Sequence, residues 1–569
     1  MGLGVLEDRK LEHVPGTAYV LEDERRRLAR SEEGLHLKKD RTGTIILVPQ
    51  PSDDPNDPLN WPLWKRDMIL GILSLTSVIA ATTSPLLAAN TFTIAIVFVR
   101  SFTDAALLTG YHLCGVGVAG FLFVASARVW GKRHLFLLGT VLMIISSAWG
   151  GASGTNYKSL LWARIIQGVA LAPFEALVNA CVGDLYFVHE RGMRMAFTNV
   201  SLFGGAFLTP VIVGKMTHEI GWPWTFYFIA IFMGVMLPLV VFFVPETAFK
   251  RANHLNTDME QGQHPLTEKS LESQSSSSHT PPPSTSAHLT TTTEKTTTST
   301  TTSRTETPHR PPQQVSYIKT LSPFNGRKTS EPFLKLLLRP LPLFLHISIL
   351  WACLIQGVII GWTVLIGVVI AVIFLSPPLF FNEVRTGYLY TSAFIGSIVG
   401  LVLSGLLSDW INRAMIRWNR GKYEPEFRIL LVLPMLIFSS IGLYGFGITA
   451  ADIARYGWLI PDVFFGFVVV GMVMGAVASA LYVVDAHREI AVEAFTCLLI
   501  FKNMFSFILT YYAYDWITAG ISRSVRSTFV IIGSIQVAIC LLSVPMYVFG
   551  KRNRSFFSRH DLLRLTRLK

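Results

Sequence analysis

Long apolar stretches alternate with short polar connections along the chain, and this pattern predicts its architecture. A helix needs about 20 apolar residues to cross the hydrocarbon core of a bilayer. Twelve segments of the 569-residue chain are close to or above that length, six in each half. They lie near 68–89, 105–127, 134–152, 159–181, 195–217, 224–244, 343–374, 386–408, 428–449, 459–483, 494–515 and 527–549. The pattern therefore predicts an all-α membrane protein with twelve transmembrane helices in two six-helix bundles.

Polar segments at both ends and in the middle divide the chain further. The central one contains a Ser/Thr/Pro-rich stretch at 253–316 that has almost no apolar side chains to bury, which is typical of disorder. The predicted regions are a cytoplasmic N-terminal tail (1–67), an N-terminal bundle (68–248), a largely disordered cytoplasmic linker (249–340), a C-terminal bundle (341–550) and a basic cytoplasmic tail (551–569).

Composition supports the membrane interpretation and sets the orientation. Only 15% of the residues are charged and 51% are hydrophobic, whereas soluble domains carry about 25% charged residues. Lysine and arginine concentrate in alternate connections and in the C-terminal tail, which predicts that both termini face the cytosol. The net charge of +12 lacks the clustered basic face of a nucleic-acid site. We therefore expect a lipid bilayer, and no nucleic acid, as the partner.

Several short motifs then narrow the class. ARVWGKR (127–133) and GLLSDWINR (405–413) occupy equivalent connections in the two halves, and LLWARIIQGVALAP (160–173) lies in the fourth predicted helix. FGGAFLTPVIVG (203–214) and DPNDPLNWPLWKR (54–66) add further matches. With these motifs the chain resembles the major facilitator superfamily, in particular a fungal proton-antiporter branch of drug, secondary-metabolite and polyamine carriers. Arg128 departs from that family, which usually has an acid at this position.

The resemblance implies secondary active, proton-coupled transport of a small organic molecule, with efflux of a drug-like compound or secondary metabolite as the first hypothesis. Uptake of a polyamine or another organic cation is the alternative, and a non-transporting membrane sensor is a further one. No phosphate-binding loop, metalloprotease motif or nucleophile elbow occurs in the sequence. We therefore expect no enzyme activity, no cofactor and no metal, and a monomer in the plasma membrane or the vacuolar membrane.

Glu175 is the candidate for proton coupling. It lies in the middle of the fourth predicted span, and carboxylates in the membrane are rare unless they face a cavity or a partner. A buried carboxylate holds its proton more readily than an exposed one, so Glu175 could take up and release a proton during transport. A structural glutamate paired within the N-terminal half is the alternative interpretation.

Lys502 lies in the eleventh predicted span and needs an acceptor there. Glu175, Asp485 and the neighbourhood of His112 are the alternatives for its partner. We expect a role in gating or at the interface of the two halves, and Arg164 could either bind an anion or hold helix ends through their carbonyls. The gating and interface candidates are Lys502, Asn503, Arg164, Asp409, Arg413 and Asp485, of which Asp409 and Arg413 could pair with each other.

Polar and aromatic residues in the first, fourth and seventh predicted helices suit a pocket for an amphipathic or aromatic solute. The residues predicted to line this pocket are Thr83, Asn90, Asn179, Trp351, Gln356 and Trp362.

Overall fold

A computed structural model describes residues 3–8, 14, 16–19, 38, 47, 49–251, 315–375, 377–419, 422–518 and 521–568. Thirteen helices of 17 residues or more occur within these ranges. They are α1 Leu63–Ala81, α2 Phe102–Trp130, α3 Arg133–Gly151, α4 Tyr157–Leu185, α5 Val188–Ile220, α6 Trp222–Phe243, α7 Ile347–Leu375, α8 Thr391–Trp418, α9 Val432–Ala450, α10 Leu459–Ala486, α11 Ala491–Thr518, α12 Ile521–Leu541 and α13 Ser543–Arg559.

The remaining elements are short. The short α-helices are Thr91–Val97, Tyr317–Thr320, Phe333–Leu338, Pro340–Leu343, Glu383–Tyr388, Ile453–Tyr456 and Leu562–Leu565, and the 3₁₀ helices are Pro58–Asn60, Pro425–Leu431 and Arg488–Ile490. Two strands, β1 Ala18–Tyr19 and β2 Lys422–Tyr423, pair antiparallel, with Ala18 opposite Tyr423.

Helices α1–α6 form one bundle and α7–α12 form the other, as the sequence predicts. Eleven helices of the described chain are long and apolar enough to cross a membrane. Helix α1 differs from these because Lys65, Arg66 and Asp67 lie near its start. We call the side on which α1 begins and α12 ends the terminal side, and the opposite side the far side.

Two separate hydrophobic cores fill the bundles, one built from α1–α6 and the other mainly from α7–α12. The bundles meet where α2 packs against α11 and α5 packs against α8. Small residues permit the closest approaches, because a Cβ atom at Gly168 of α4 would lie 2.0 Å from the carbonyl oxygen of His112 in α2. Such contacts are the usual basis of helix packing in membranes.

The first predicted span, 68–89, ends too late. Helix α1 stops at Ala81 and a turn leads to the short helix Thr91–Val97. The Thr82 and Thr83 hydroxyl groups donate to the carbonyls of Ile79 and Ala80, so these side chains take backbone acceptors of the helix end. Apolar length alone does not reveal this break.

The regions between and beyond the bundles are partly described. Residues 252–314, which include nearly all of the Ser/Thr/Pro-rich stretch, lie outside the described residues. After them, the helix Phe333–Leu338 packs on the end of α2, where Leu336 joins Ala125 and Val129 in a small apolar cluster. At the other end of the chain, α13 continues to Arg559, so the predicted boundary at 550 falls inside a helix.

Candidate functional site

An ion pair joins the two bundles in the middle of the molecule. The Lys502 Nζ atom of α11 donates to the Glu175 Oε1 atom of α4, and the side chains are only 11% and 14% exposed. Glu175 lies ten residues from the end of α4 and Lys502 eleven residues from the start of α11, so both stand at a similar depth. Of the partners considered for Lys502, the structure selects Glu175. It also places the pair between the halves and not within the N-terminal half.

The face of α11 next to Lys502 is aromatic. The rings of Phe501 and Phe505 stack with centroids 5.9 Å apart, and Phe505 meets Trp362 of α7 edge-on at 5.5 Å. Gly357 and Gly361 of α7 make room for these rings, because a Cβ atom at Gly361 would lie 2.5 Å from Phe505 Cδ1. The ion pair therefore adjoins an aromatic wall at the centre of the C-terminal bundle.

The polar candidates of α7 separate into different environments. The Trp362 side chain is buried, and its Nε1 atom has no hydrogen-bond partner among the described residues. Gln356 Oε1 accepts a hydrogen bond from Ser479 Oγ at 3.2 Å. Trp351 donates to Ser543 Oγ at 3.0 Å, and it lies roughly 16 Å from Trp362 along the helix axis. The two tryptophans therefore stand at different depths of α7.

Arg164 is fully buried and binds the broken end of α1. Its Nη1 atom donates to the Thr83 carbonyl at 2.8 Å and to Gln167 Oε1 at 2.6 Å. Further contacts reach the carbonyls of Leu108 at 3.4 Å and Ser84 at 3.5 Å. These contacts match the interpretation of Arg164 as a residue that holds helix ends.

The polar pocket candidates of the N-terminal bundle bond within that bundle. Thr83 Oγ1 lies 3.5 Å from His112 Nε2, and the Asn90 amide bonds Thr217 Oγ1 at 3.1 Å in either orientation of the amide. Asn179 Oδ1 accepts from Thr198 Oγ1 at 2.6 Å. In the other half, Asn503 Nδ2 donates to the Leu499 carbonyl of its own helix at 3.0 Å.

The expected pair between Asp409 and Arg413 is not formed in the structure. Arg413 Nε donates to the Asp409 backbone carbonyl at 3.2 Å, and both residues are exposed on α8. Positions four apart on an exposed helix can satisfy their charges in water, which removes the need to pair. Asp485 instead accepts from Arg428 Nε at 3.0 Å and from the Tyr423 hydroxyl group.

The structure contains two further contacts between the halves that the sequence analysis does not predict. On the terminal side, both Arg128 Nη atoms donate to the Glu493 carboxylate at the start of α11. On the far side, Thr93 Oγ1 donates to Glu383 Oε1. The unusual arginine at 128 was a usable signal for the first contact, whereas nothing in the sequence pairs Thr93 with a residue 290 positions away.

The N-terminal segment reaches the C-terminal bundle through a buried carboxylate. Glu424 accepts from Thr17 Oγ1 at 2.6 Å, from Lys551 Nζ at 3.0 Å and from Arg554 Nη2 at 3.0 Å. Burial raises the pKa of Glu424, but the Thr17 hydrogen bond and the charges of Arg554 and Lys551 outweigh this effect. The net pKa of Glu424 is lowered below its ordinary value of 4.5.

The chain is similar to known membrane transporters in sequence and in fold. The family profile of the Major Facilitator Superfamily matches residues 68–494. Protein HOL1 of Saccharomyces cerevisiae is 23% identical over 96% of both chains. The Trichosetin biosynthesis cluster MFS transporter of Gibberella fujikuroi is 23% identical over 91% of this chain and 92% of its own. Among solved structures, the partially occluded inward-open xylose transporter XylE from E. coli covers 85% of this chain and 97% of its own, with a TM-score of 0.53 and 15% identity.

Proposed function

Because the chain belongs to the Major Facilitator Superfamily, a family of membrane transporters, we propose that it is a proton-coupled carrier that exports a small organic molecule. The Glu175–Lys502 ion pair carries this proposal. It joins α4 of one bundle to α11 of the other, and alternating access requires the two bundles to move about a central site.

Protonation of Glu175 would change the contact between the bundles. A neutral carboxyl group no longer balances the ammonium group of Lys502, and a buried charge without its partner is costly. The bundles would then favour an arrangement in which Lys502 reaches water or another acceptor. Proton uptake at Glu175 is in this way linked to exchange between the two access states, since a ligand shifts an equilibrium by its different affinity for each state.

The surroundings of the ion pair favour an amphipathic or aromatic substrate. Trp362, Phe501 and Phe505 supply ring faces and edges, and the indole Nε1 atom of Trp362 is available as a donor. A relative named for a biosynthesis cluster supports a secondary metabolite as cargo. Uptake of an organic cation is the alternative. It would need a carboxylate that is free to attract the cation, whereas Glu175 is paired with Lys502.

We extend the proposal to the setting of the carrier. The terminal side would face the cytosol of a fungal plasma membrane, and a single chain would suffice for transport. The arginine- and lysine-rich connections of the terminal side, such as 127–133, support this orientation. An impermeant label that reached residues 253–316 from outside intact cells would contradict it.

Transport in proteoliposomes tests the function. Vesicles with an imposed pH gradient and an internal pH dye would be given a panel of amphipathic aromatic compounds, with spermidine as the cation probe. The proposal expects at least one aromatic compound to move protons in the wild type and not in Glu175→Gln. Glu219→Gln is the matched control, because within the described part of the chain Glu219 pairs with the exposed Lys215 alone, and this variant should transport normally. Proton movement with spermidine, but with none of the aromatic compounds, would favour the cation alternative.

A further inference from the structure

A groove on the far side of the C-terminal bundle combines polar and membrane-facing residues. Its volume is about 540 Å³, and it lies between the end of α9, the short helix Ile453–Tyr456 and the first turns of α12. It is separate from the Glu175–Lys502 ion pair. The residues lining it are Ile448, Ala451, Asp452, Arg455, Tyr456, Arg526, Ser527 and Val530.

Two arginines give the groove an excess of positive charge. Among the described residues, neither Arg455 nor Arg526 forms an ion pair with a carboxylate. The Arg455 guanidinium group lies over the Tyr456 ring, 5.3 Å from its centroid. Among the described residues that line the groove, Asp452 is the single acidic one, and its Oδ1 atom accepts from the Arg455 backbone N–H at 3.3 Å as a helix cap. Two positive groups and one negative group leave one positive charge for a ligand to neutralise.

Below this charged end, the surface turns apolar towards the middle of the membrane. Ile448 is 40% exposed and Val530 is 39% exposed. Ile441 and Ile437 continue the exposed row along α9, since residues seven and eleven positions back stay on about the same helix face. Under the groove, α9 and α12 are in close contact, because a Cβ atom at Gly447 would lie 2.3 Å from the Phe529 Cβ atom.

We propose that this groove binds the phosphodiester headgroup of a phospholipid from the far-side leaflet. The single negative charge of the phosphodiester matches the charge excess, and guanidinium groups bind phosphate oxygens through paired N–H donors. The acyl chains would run down the apolar row of α9, which a soluble phosphate could not use. The charged end and the apolar row together select a lipid over a free anion.

Native mass spectrometry of the delipidated full-length protein tests the site. Dioleoylphosphatidylglycerol is the probe, and dioleoylglycerol carries the same acyl chains without the phosphoglycerol headgroup. The double variant Arg455→Gln/Arg526→Gln should bind the first phosphatidylglycerol about thirtyfold more weakly, because each arginine near a lipid surface contributes roughly fivefold. Dioleoylglycerol should bind weakly to both proteins, and the Arg455→Lys/Arg526→Lys variant should keep most of the affinity.

Arg100→Gln is the matched control. Arg100 is also exposed on the far side and also lies over a tyrosine ring, that of Tyr157 at 5.3 Å, but it does not line the groove. Its replacement should leave lipid binding unchanged, and all variants should keep the wild-type unfolding temperature. The proposal would be overturned if the glutamine double variant kept its affinity or if Arg100→Gln lost as much affinity as that variant. It would also be overturned if dioleoylglycerol bound as tightly as the phospholipid, or if millimolar inorganic phosphate displaced the lipid.

Discussion

At the scale of single residues, buried charges have different roles according to their partners. Lys502 meets a carboxylate of the other bundle, so its contact changes when the bundles move. Arg164 meets mainly backbone carbonyls of its own bundle, so its contacts persist through such a movement. We therefore expect substitution of Lys502 to affect transport and substitution of Arg164 to affect stability.

Lys502→Ala should slow transport more than it weakens substrate binding. The substitution leaves Glu175 without its partner and alters the balance of access states, and a shift of about 1.4 kcal/mol changes their ratio roughly tenfold. Lys502→Arg should restore transport only in part, because its planar donors have a different geometry. Turnover and equilibrium binding, measured separately in the same preparations, check this. Lost binding with normal exchange between access states would make Lys502 a substrate ligand instead.

Arg164→Lys should lower stability by roughly 2 kcal/mol without changing proton coupling in the folded fraction. A lysine cannot reach the Thr83, Ser84 and Leu108 carbonyls at once, whereas the guanidinium group does. Thermal unfolding in detergent measures the effect, with the exposed Arg100→Lys as control. Normal stability combined with lost binding of an anionic compound would favour the anion-binding interpretation of Arg164.

At the scale of elements, α5 and the short helix Glu383–Tyr388 form a close contact between the bundles on the far side. A Cβ atom at Gly214 would lie 2.4 Å from the Glu383 carbonyl oxygen, and one at Gly387 would lie 2.4 Å from the Pro210 carbonyl oxygen. Both neighbours are backbone atoms, which cannot move aside alone. The glycine and proline positions of the FGGAFLTPVIVG motif therefore permit this contact.

Gly214→Ala should hold the far side more open. A maleimide that cannot cross the membrane should react about tenfold faster with a cysteine at the half-buried Val211 position, which packs against the core of the C-terminal bundle, when alanine replaces Gly214, if the contact weakens by about 1.4 kcal/mol. Gly71→Ala is the control, because nothing lies within 4 Å of a Cβ atom there. Equal reaction rates in all three proteins would show that this contact does not control access.

The contact between the N-terminal segment and Glu424 should weaken in acid. The folded-state pKa of Glu424 is lowered, so its contribution to stability is complete above about pH 4.5 and is lost as the pH falls through the folded-state value. Glu424→Gln should destabilise the protein by about 3 kcal/mol at pH 7 and should reduce the loss of stability below pH 4.5. Unfolding temperatures of both proteins across this range check the prediction, and identical acid profiles would contradict it.

At the scale of the whole molecule, the hydrophobic pattern was sufficient to predict two bundles of six helices, because each crossing needs its own apolar length. It could not predict the end of α1 at Ala81, which depends on side-chain hydrogen bonds. It also placed Glu175 and Lys502 at mid-membrane but left three alternatives for the lysine partner. Pairing across 327 positions depends on how the bundles dock, and no local spacing encodes that.

The two bundles touch on both sides of the ion pair. Arg128 and Glu493 join them on the terminal side, and Thr93 and Glu383 join them on the far side. In alternating access, we expect each state to break one of these contacts and to keep the other. We expect the protonation of Glu175 to decide which one breaks.

Distances between the bundles, measured at different pH values, report whether Glu175 controls this exchange. Spin labels replacing the exposed terminal-side residues Phe243 of α6 and Trp418 of α8 would report the separation by pulsed electron resonance, with the half-buried Cys114 changed to serine. We expect acidification to redistribute the wild-type distances between two populations. We also expect Glu175→Gln to stay in the acid-like population at every pH. A pH-dependent redistribution in Glu175→Gln equal to that of the wild type would show that Glu175 does not link proton uptake to the movement of the bundles.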